Sequence, residues 1–365
     1  MARIYFTVTN SLVYDQRMHR ICSTLAQNGY SVHLVGRKMP YHPLPTQTAY
    51  QTHLIRCFFN KKVFFYAEYN IKLLFFLLPL KMDAICAIDI DTILPCLWYS
   101  KLKGVTRVYD AHEYFSEQKE IVTRKNIQKI WQSIEKYCIP KFPNGYTVNE
   151  VIAAAFLKQF GVQYQVIKNL PIRPEVFPAN SISEKKIILY QGAVNHGRCF
   201  ETLIPAMQQV DAELWIVGTG NFLSEVKNLI EKNNLTQKIK LLGPVLPEQL
   251  KNITPTAYLG LTLFEATGFN QINSLANRFF DYIMAGIPQI CVNFPAYAAV
   301  QEKYKVAYLI NNTDSNSLAA AMNKLLNDTV LYKQLQQQCY AAREILNWQN
   351  ESIKLLSFWR NICIS

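Results

Sequence analysis

Short apolar runs of strand length alternate with helix-patterned stretches from Arg3 to Ile310, and that alternation admits few folds. Strands joined through crossover helices pair in parallel, and a parallel sheet needs helices on both of its faces. In the first half the strand-like runs are RIYFTV, SVHLVG, HLIRCFF, DAICAI, TRVYD and GYTV, with helical patterns near 15–28, 62–79, 92–102, 113–142 and 150–160. After Asn169 the stretch LPIRPEVFPANSISEKK holds three prolines and little apolar periodicity, which reads as a linker. The alternation then restarts with KIILYQG, AELWIVG, KIKLLG, AYLGLTLF, PQICV and VAYLI. Helices are expected from about Cys199, from about Asn221, in NSLANRFFDYIMAG, and near 315–345 and 348–362. The expected fold class is α/β, with two doubly wound Rossmann-like domains facing across a cleft. The expected domains are 1–170, a linker 171–184, 185–345, and a final helix 346–365. A chain of 365 residues, half of them apolar, suits two domains.

Charge is uneven. Residues 1–180 hold 22 Lys and Arg against 12 Asp and Glu, or +10, and residues 181–365 hold 16 against 14, or +2, which sum to the net +12. The first half therefore faces something anionic. No finger, recognition-helix or RNP-like pattern is present, so nucleic acid is not expected as a partner. The nine cysteines are scattered with no spacing that suits a metal, which reads as a reducing cytosol. The chain enters a strand pattern at once, without the zones of a signal peptide. Its most apolar region, FFNKKVFFYAEYNIKLLFFLLPLK, is broken by charges and Pro79, and the run Leu73 to Leu80 is too short to span a bilayer. Lys61, Lys62, Lys72 and Lys81 among these aromatics suit peripheral docking on an anionic membrane; the alternative is a buried helix with lysines at its rim.

Open α/β sheets bind ligands at the carboxyl ends of their strands, so the chemistry is expected at the strand-to-loop junctions. In LYQGAVNHGR, Gly192 follows a strand, and Gly197 with Arg198 opens the next helix; glycine admits close backbone approach and Arg offers a fork for phosphate. IVGTGN repeats the theme at Gly218, and LLGPV sets Gly243 and Val245 at another strand end, where free backbone groups suit a nucleobase edge. In NSLANRFFDYIMAGIP, Asn273 or Ser274 is a natural N-cap, with Leu275 and Asn277 in the first turn. Arg278 lies one turn in, and Asp281 follows three residues later. A phosphate at the helix front with a carboxylate for sugar hydroxyls would hold a nucleoside diphosphate; the alternative is a surface Arg–Asp pair. In the first half, Asp15, Arg17, His19 and Arg20 crowd the start of a helix, and Asp110, His112 and Glu113 emerge directly after a strand. AIDIDT carries Asp89 and Asp91, read as a strand end and helix cap rather than a metal site.

The run NRFFDYIMAGIP, with YQGAVNHGR upstream and ELWIVGTG between, resembles the retaining nucleotide-sugar glycosyltransferases of the large family typified by sucrose synthase and bacterial mannosyltransferases, which share the two-domain architecture called GT-B. The resemblance implies that Asp281 binds the nucleotide ribose and that Arg278 and Arg198 stand where the family places phosphate-binding lysines. Asn273 occupies the position of an acid that usually faces the donor sugar, so Asn273 or Glu265 inherits that role. Asp15, Arg17, Arg20, Asp110 and Glu113 fall on the acceptor side, with His112 orienting the reactants. The final helix is expected to cross back to the first domain. No cofactor and no metal are implied beyond the nucleotide-sugar co-substrate. The expected activity is transfer of a sugar to a glycan or lipid-linked acceptor in cell-surface polysaccharide or glycoconjugate synthesis, in the cytoplasm or at the inner face of the membrane. The competing readings are a noncatalytic nucleotide-sugar-binding protein and a sugar-nucleotide epimerase.

Overall fold

The computed structural model describes residues 1–39, 48–60, 62–177 and 186–364. Lys61, positions 178–184 of the expected linker and position 185 lie outside the described residues. The chain divides into two compact units: Met1–Asn169 with Gly268–Asn270 and the segment from Glu351 onward, and Leu170–Thr267 with Gln271–Asn350.

The first unit runs β1 (Arg3–Thr7), α1 (Gln16–Gln27), β2 (Ser31–Arg37), β3 (Gln51–Ile55), α2 (Lys62–Leu77), β4 (Ala84–Ile88), α3 (Ile93–Lys103), β5 (Thr106–Ala111), α4 (Lys119–Val122), α5 (Lys125–Cys138), β6 (Asn144–Thr147), α6 (Glu150–Phe160) and β7 (Gln165–Val166). Its strands pair in parallel in the order β3-β2-β1-β4-β5-β6-β7. The chain therefore reverses its winding between β1 and β4. Every residue of β4, AICAI, is buried, as a strand covered on both faces must be. Right-handed crossovers put α2, α3, α5 and α6 on one face, where they share a core. The opposite face receives α1 and the last helix, whose Trp359 packs edge-on to Phe6 at 5.4 Å and whose Phe358 meets Tyr146 at 5.0 Å.

The second unit runs β8 (Ile187–Gln191), α7 (Phe200–Ala206), β9 (Glu213–Val217), α8 (Leu223–Lys232), β10 (Ile239–Gly243), α9 (Pro247–Ile253), β11 (Leu259–Thr262), α10 (Phe269–Asn273), α11 (Asn277–Ala285), β12 (Gln289–Val292), α12 (Pro295–Tyr304), β13 (Ala307–Ile310), α13 (Ser315–Asn327) and α14 (Thr329–Arg343). The order is β10-β9-β8-β11-β12-β13, all parallel, with the reversal between β8 and β11. The last helix, α15 (Trp348–Ile364), groups with the first unit from Glu351, whose carboxylate accepts the Lys168 N–H at 2.8 Å.

Several elements differ from expectation, each for a local reason. The strand HLIRCFF ends at Ile55, because the Phe58 and Phe59 N–H groups turn away to donate to Glu68 at 2.8 to 2.9 Å. The helix expected over 113–142 breaks into a short turn, α4 and α5, since the buried Glu135 accepts the Ser116 N–H at 2.9 Å and folds the first turn onto α5. The helix expected over 315–345 is divided at Asp328, which caps α14 by accepting from Leu331 N at 2.9 Å. The helices α9 and α12 were not anticipated; each begins at a proline, a residue suited to the first helical position.

Candidate active site

In the second unit the polar groups gather at the carboxyl ends of β8, β9 and β11, beside the winding reversal. Gly192, Gly218 and Gly243 stand in series there: the Gly192 N–H donates to Val217 O at 2.9 Å and the Gly218 N–H to Gly243 O at 2.8 Å. Gly218 has φ +142°, and a Cβ on it would lie 1.9 Å from the Gly192 carbonyl oxygen. Only glycine permits that approach, so the two turns lock together. The loop after β11 joins them, with the Glu265 N–H donating to Gly197 O at 3.1 Å.

Against this frame lies Arg278, the second residue of α11 and only 7% exposed. Its Nη2 donates to Leu263 O at 3.2 Å, and its Nη1 lies 3.4 Å from the Tyr190 hydroxyl and 3.5 Å from Gln191 O. Its guanidinium sits over the rings of Tyr190 and Phe264, 4.6 Å from each centroid. Arg198 covers the same Phe264 ring at 4.2 Å. The Arg278 Nε is buried with no hydrogen-bond partner, and among the described residues no carboxylate pairs with this guanidinium. A buried cation served only by neutral oxygens and ring faces keeps its charge for a ligand. One turn on, Asp281 accepts from Gln191 Nε2 at 3.0 Å, and Gln191 Oε1 accepts the Thr254 hydroxyl at 2.8 Å.

The N-cap expected at Asn273 or Ser274 is not there. Asn273 ends α10, Ser274 and Leu275 lie in the connection, and Ala276 holds the N-cap position of α11 with no side-chain bond. The Tyr297 hydroxyl meets the Ala276 N–H at 3.0 Å, so a tertiary contact replaces the local cap and α11 starts at Asn277. Val245, after β10, is half-buried against the small core cluster that contains Val217 and Tyr282.

The first unit gathers a second cluster beside its own reversal point. Asp110, at the end of β5, is fully buried and accepts Arg17 Nη2 at 2.8 Å and Nε at 3.2 Å. Arg17 also donates to Ile167 O at 2.9 Å, so this arginine is locked inside rather than solvated. The His112 Nε2 lies 3.3 Å from Asp110 Oδ2, its Nδ1 lies 3.6 Å from Asp89 Oδ2, and its backbone N–H donates to Asp89 Oδ1 at 2.9 Å. Burial alone would lower the His112 pKa, but Asp110 and Asp89 outweigh it and hold the ring near 9. With the ionised Asp110 at Nε2 and Asp89 beside Nδ1, the ring is held as an imidazolium beside the strand ends. Burial pushes Asp89 up, against the pull of His112.

Asp89 follows β4 with φ +54°, a strained value for a non-glycine, and it makes no side-chain cap bond. It therefore holds His112 rather than capping a helix. Asp91 accepts the Thr9 hydroxyl. Asp15 does cap, accepting from Met18 N at 3.1 Å, while Arg20 is buried against Asn169 and Gln16. Glu113 accepts from Gln118 Nε2 at 2.6 Å and from Asn270 Nδ2 at 3.3 Å. Among the described residues no three His, Cys, Asp or Glu side chains group to hold a metal ion. Phe264, Gln191 and Asp89 were missed as site residues; a polar residue ending a wholly apolar strand, as in LYQG, was the available signal for Gln191.

Residues 172–344 match the family described as Glycosyl transferases group 1. No curated protein matches the chain by sequence. Among solved structures it is similar to the sucrose-phosphate synthase of Thermosynechococcus elongatus, with TM-score 0.79, 16% identity and 99% of each chain covered. It is also similar to HepE of Anabaena in complex with UDP-glucose, with TM-score 0.76, 12% identity, and 99% of this chain and 100% of that one covered. A third is WaaG, a glycosyltransferase involved in lipopolysaccharide biosynthesis, with TM-score 0.74, 16% identity, and 96% of this chain and 99% of that one covered.

Proposed function

Because residues 172–344 are a domain of the glycosyl transferases group 1 family and the chain is a glycosyltransferase of the GT-B fold, we propose that its second unit binds a nucleoside diphosphate sugar and that it transfers the sugar with retention of anomeric configuration. The observation that carries this reading is Arg278, buried over Phe264 beside Arg198, with charge uncommitted to any carboxylate and the Gly192 backbone alongside. A Cβ on Gly192 would lie 3.2 Å from Arg278 Nη1, and its absence leaves room beside the guanidinium for a diphosphate to lie against the turn. Asp281, oriented by Gln191, is assigned to the ribose. Gly243 and Val245 border the base, and Asn273 or Glu265 meets the sugar hydroxyls.

In the proposed step the bond from the anomeric carbon to the leaving phosphate oxygen breaks as the acceptor oxygen bonds to the same face. The acceptor hydroxyl proton passes to the departing diphosphate. Arg198 and Arg278 stabilise the charge growing on that diphosphate, and His112 in the first unit orients the acceptor hydroxyl. The acceptor is assigned as a glycan or a lipid-linked glycan, in polysaccharide or glycoconjugate synthesis. Similarity to HepE, solved with UDP-glucose, makes UDP the first base to try. Isothermal calorimetry with UDP, GDP and ADP tests the reading on the wild type, Arg198→Ala and Arg278→Ala. Micromolar binding of one nucleotide, lost in both variants while the melting curve of Arg198→Ala is unchanged, supports it. No binding of any nucleotide overturns the donor site.

A further inference from the structure

The helical layer on one face of the first sheet carries a surface that donor binding leaves unexplained. On α2, Phe65, Tyr69, Leu73 and Leu77 are buried toward the sheet, yet Phe64, Ile71 and Phe75 on the opposite side are 69%, 57% and 68% exposed. A helix apolar all round is ordinarily covered on both sides. The neighbours continue the pattern: Trp98 and Leu102 are exposed on α3, and Ile130 on α5. These three helices form one continuous layer, with Tyr66 of α2 meeting Trp131 of α5 edge-on at 5.2 Å.

The charges on the same layer have one sign. Lys101, Lys103, Lys125, Lys129 and Lys136 are exposed on α3 and α5, and Lys72 on α2 is paired with Glu68. The acids of these helices are withdrawn: Glu68 is tied to Lys72 and to the Phe58 and Phe59 N–H groups, and Glu135 is buried against Ser116. What is left outside is a set of single apolar side chains interspersed with lysines.

We propose that the layer α2–α3–α5 is a docking surface for an anionic lipid bilayer. Apolar side chains spread singly over three helices suit shallow insertion between headgroups, and lysine stems can lie along apolar surface while their ammonium groups reach lipid phosphates. A second copy of the chain fits poorly, because an isologous contact would set lysine against lysine. Among the described residues no helix is long and apolar enough to cross a membrane, so the association is peripheral. This deepens the acceptor half of the proposed function, on which it rests, by naming the surface where a lipid-linked acceptor would be met.

The test is flotation of the intact chain with vesicles of phosphatidylcholine alone and of phosphatidylcholine with phosphatidylglycerol. Binding is expected only to the phosphatidylglycerol vesicles and should be reversed by salt. The paired variants Ile71→Ser with Phe75→Ser, and Lys101→Glu with Lys129→Glu, should each weaken it by tenfold or more, at roughly fivefold per lysine removed. Thermal melts and nucleotide binding on the same preparations should match the wild type, which separates failure of this surface from failure of the donor site. Absence of flotation at low salt, or equal flotation of both variants, overturns the proposal. A concentration-dependent dimer that the serine variant abolishes, with no flotation, assigns the face to a second copy and overturns it too.

Discussion

The packing of Gly218 on Gly192 gives a prediction whose size follows from three glycines compared. At Gly29, φ is +89° and a Cβ would meet nothing within 4 Å, so Gly29→Ala carries only the conformational cost of a left-handed residue, ~1–2 kcal/mol. At Gly260 no such φ applies, but a Cβ would lie 2.5 Å from the Tyr282 ring, an overpacking cost of ~1–3 kcal/mol. Gly218 combines both, at φ +142° and 1.9 Å from a backbone carbonyl that cannot rotate away. Separating the loops would also weaken the bonds from Gly192 N to Val217 O and from Gly218 N to Gly243 O, about 1 kcal/mol each. Gly218→Ala should therefore lose ~4–7 kcal/mol, which for a domain of this size lowers the melting temperature by roughly 15 °C. Because the displaced backbone is the proposed phosphate cradle, nucleotide affinity measured at a temperature where the variant is still folded should fall as well. Circular dichroism melts and calorimetry of all three variants are the assay. If Gly218→Ala melts within a few degrees of Gly29→Ala and binds nucleotide like the wild type, the locked-turn argument is refuted.

Two further outcomes concern the first unit. Asp110→Asn leaves the Arg17 charge buried without its carboxylate and should cost ~3–5 kcal/mol in urea unfolding, whereas Arg17→Met with Asp110→Leu should recover most of that; equal losses in both would contradict the pairing. His112, raised from 6.5 to about 9, contributes stability that is full below its unfolded pKa and is lost as pH rises through 9, and the raised Asp89 acts in the same direction. The melting temperature should fall between those limits, less steeply in His112→Gln, and a wild-type rise over the same range would show the sign to be wrong.

The strands were legible because parallel strands buried on both faces must be written as apolar runs, as AICAI and the first four residues of IILYQ are. The strand-end glycines and the Arg278–Asp281 spacing were legible for a similar reason: turns that admit a ligand, and residues one helical turn apart, are local facts. The start of α11 was not. Asn273 and Ser274 have good N-cap chemistry, but the Tyr297 hydroxyl, 21 residues from Ala276 along the chain, decides where the helix begins. Asp89 was seen and misread, because its partner His112 is brought to it only by the β4–β5 register, in which Ile88 lies opposite Asp110. Phe264 has no polar atom to advertise a role; only its place under two guanidiniums gives it one.

The two polar clusters occupy equivalent places, each at the carboxyl ends of strands beside a winding reversal, yet they differ in how charge is balanced. In the first unit Arg17 and His112 both face the buried Asp110 carboxylate, which an anionic ligand would have to displace. In the second unit Arg278 faces carbonyl oxygens, a hydroxyl and two aromatic rings, none of which neutralises it. A diphosphate binds where charge is uncompensated and the backbone can be approached, which favours the second unit. The first cluster is built instead to hold a ring rigidly in one protonation state, which suits orienting a neutral hydroxyl acceptor more than gripping a phosphate. Charge balance at the two reversal points thus supports the proposed assignment of the donor to the second unit and the acceptor to the first.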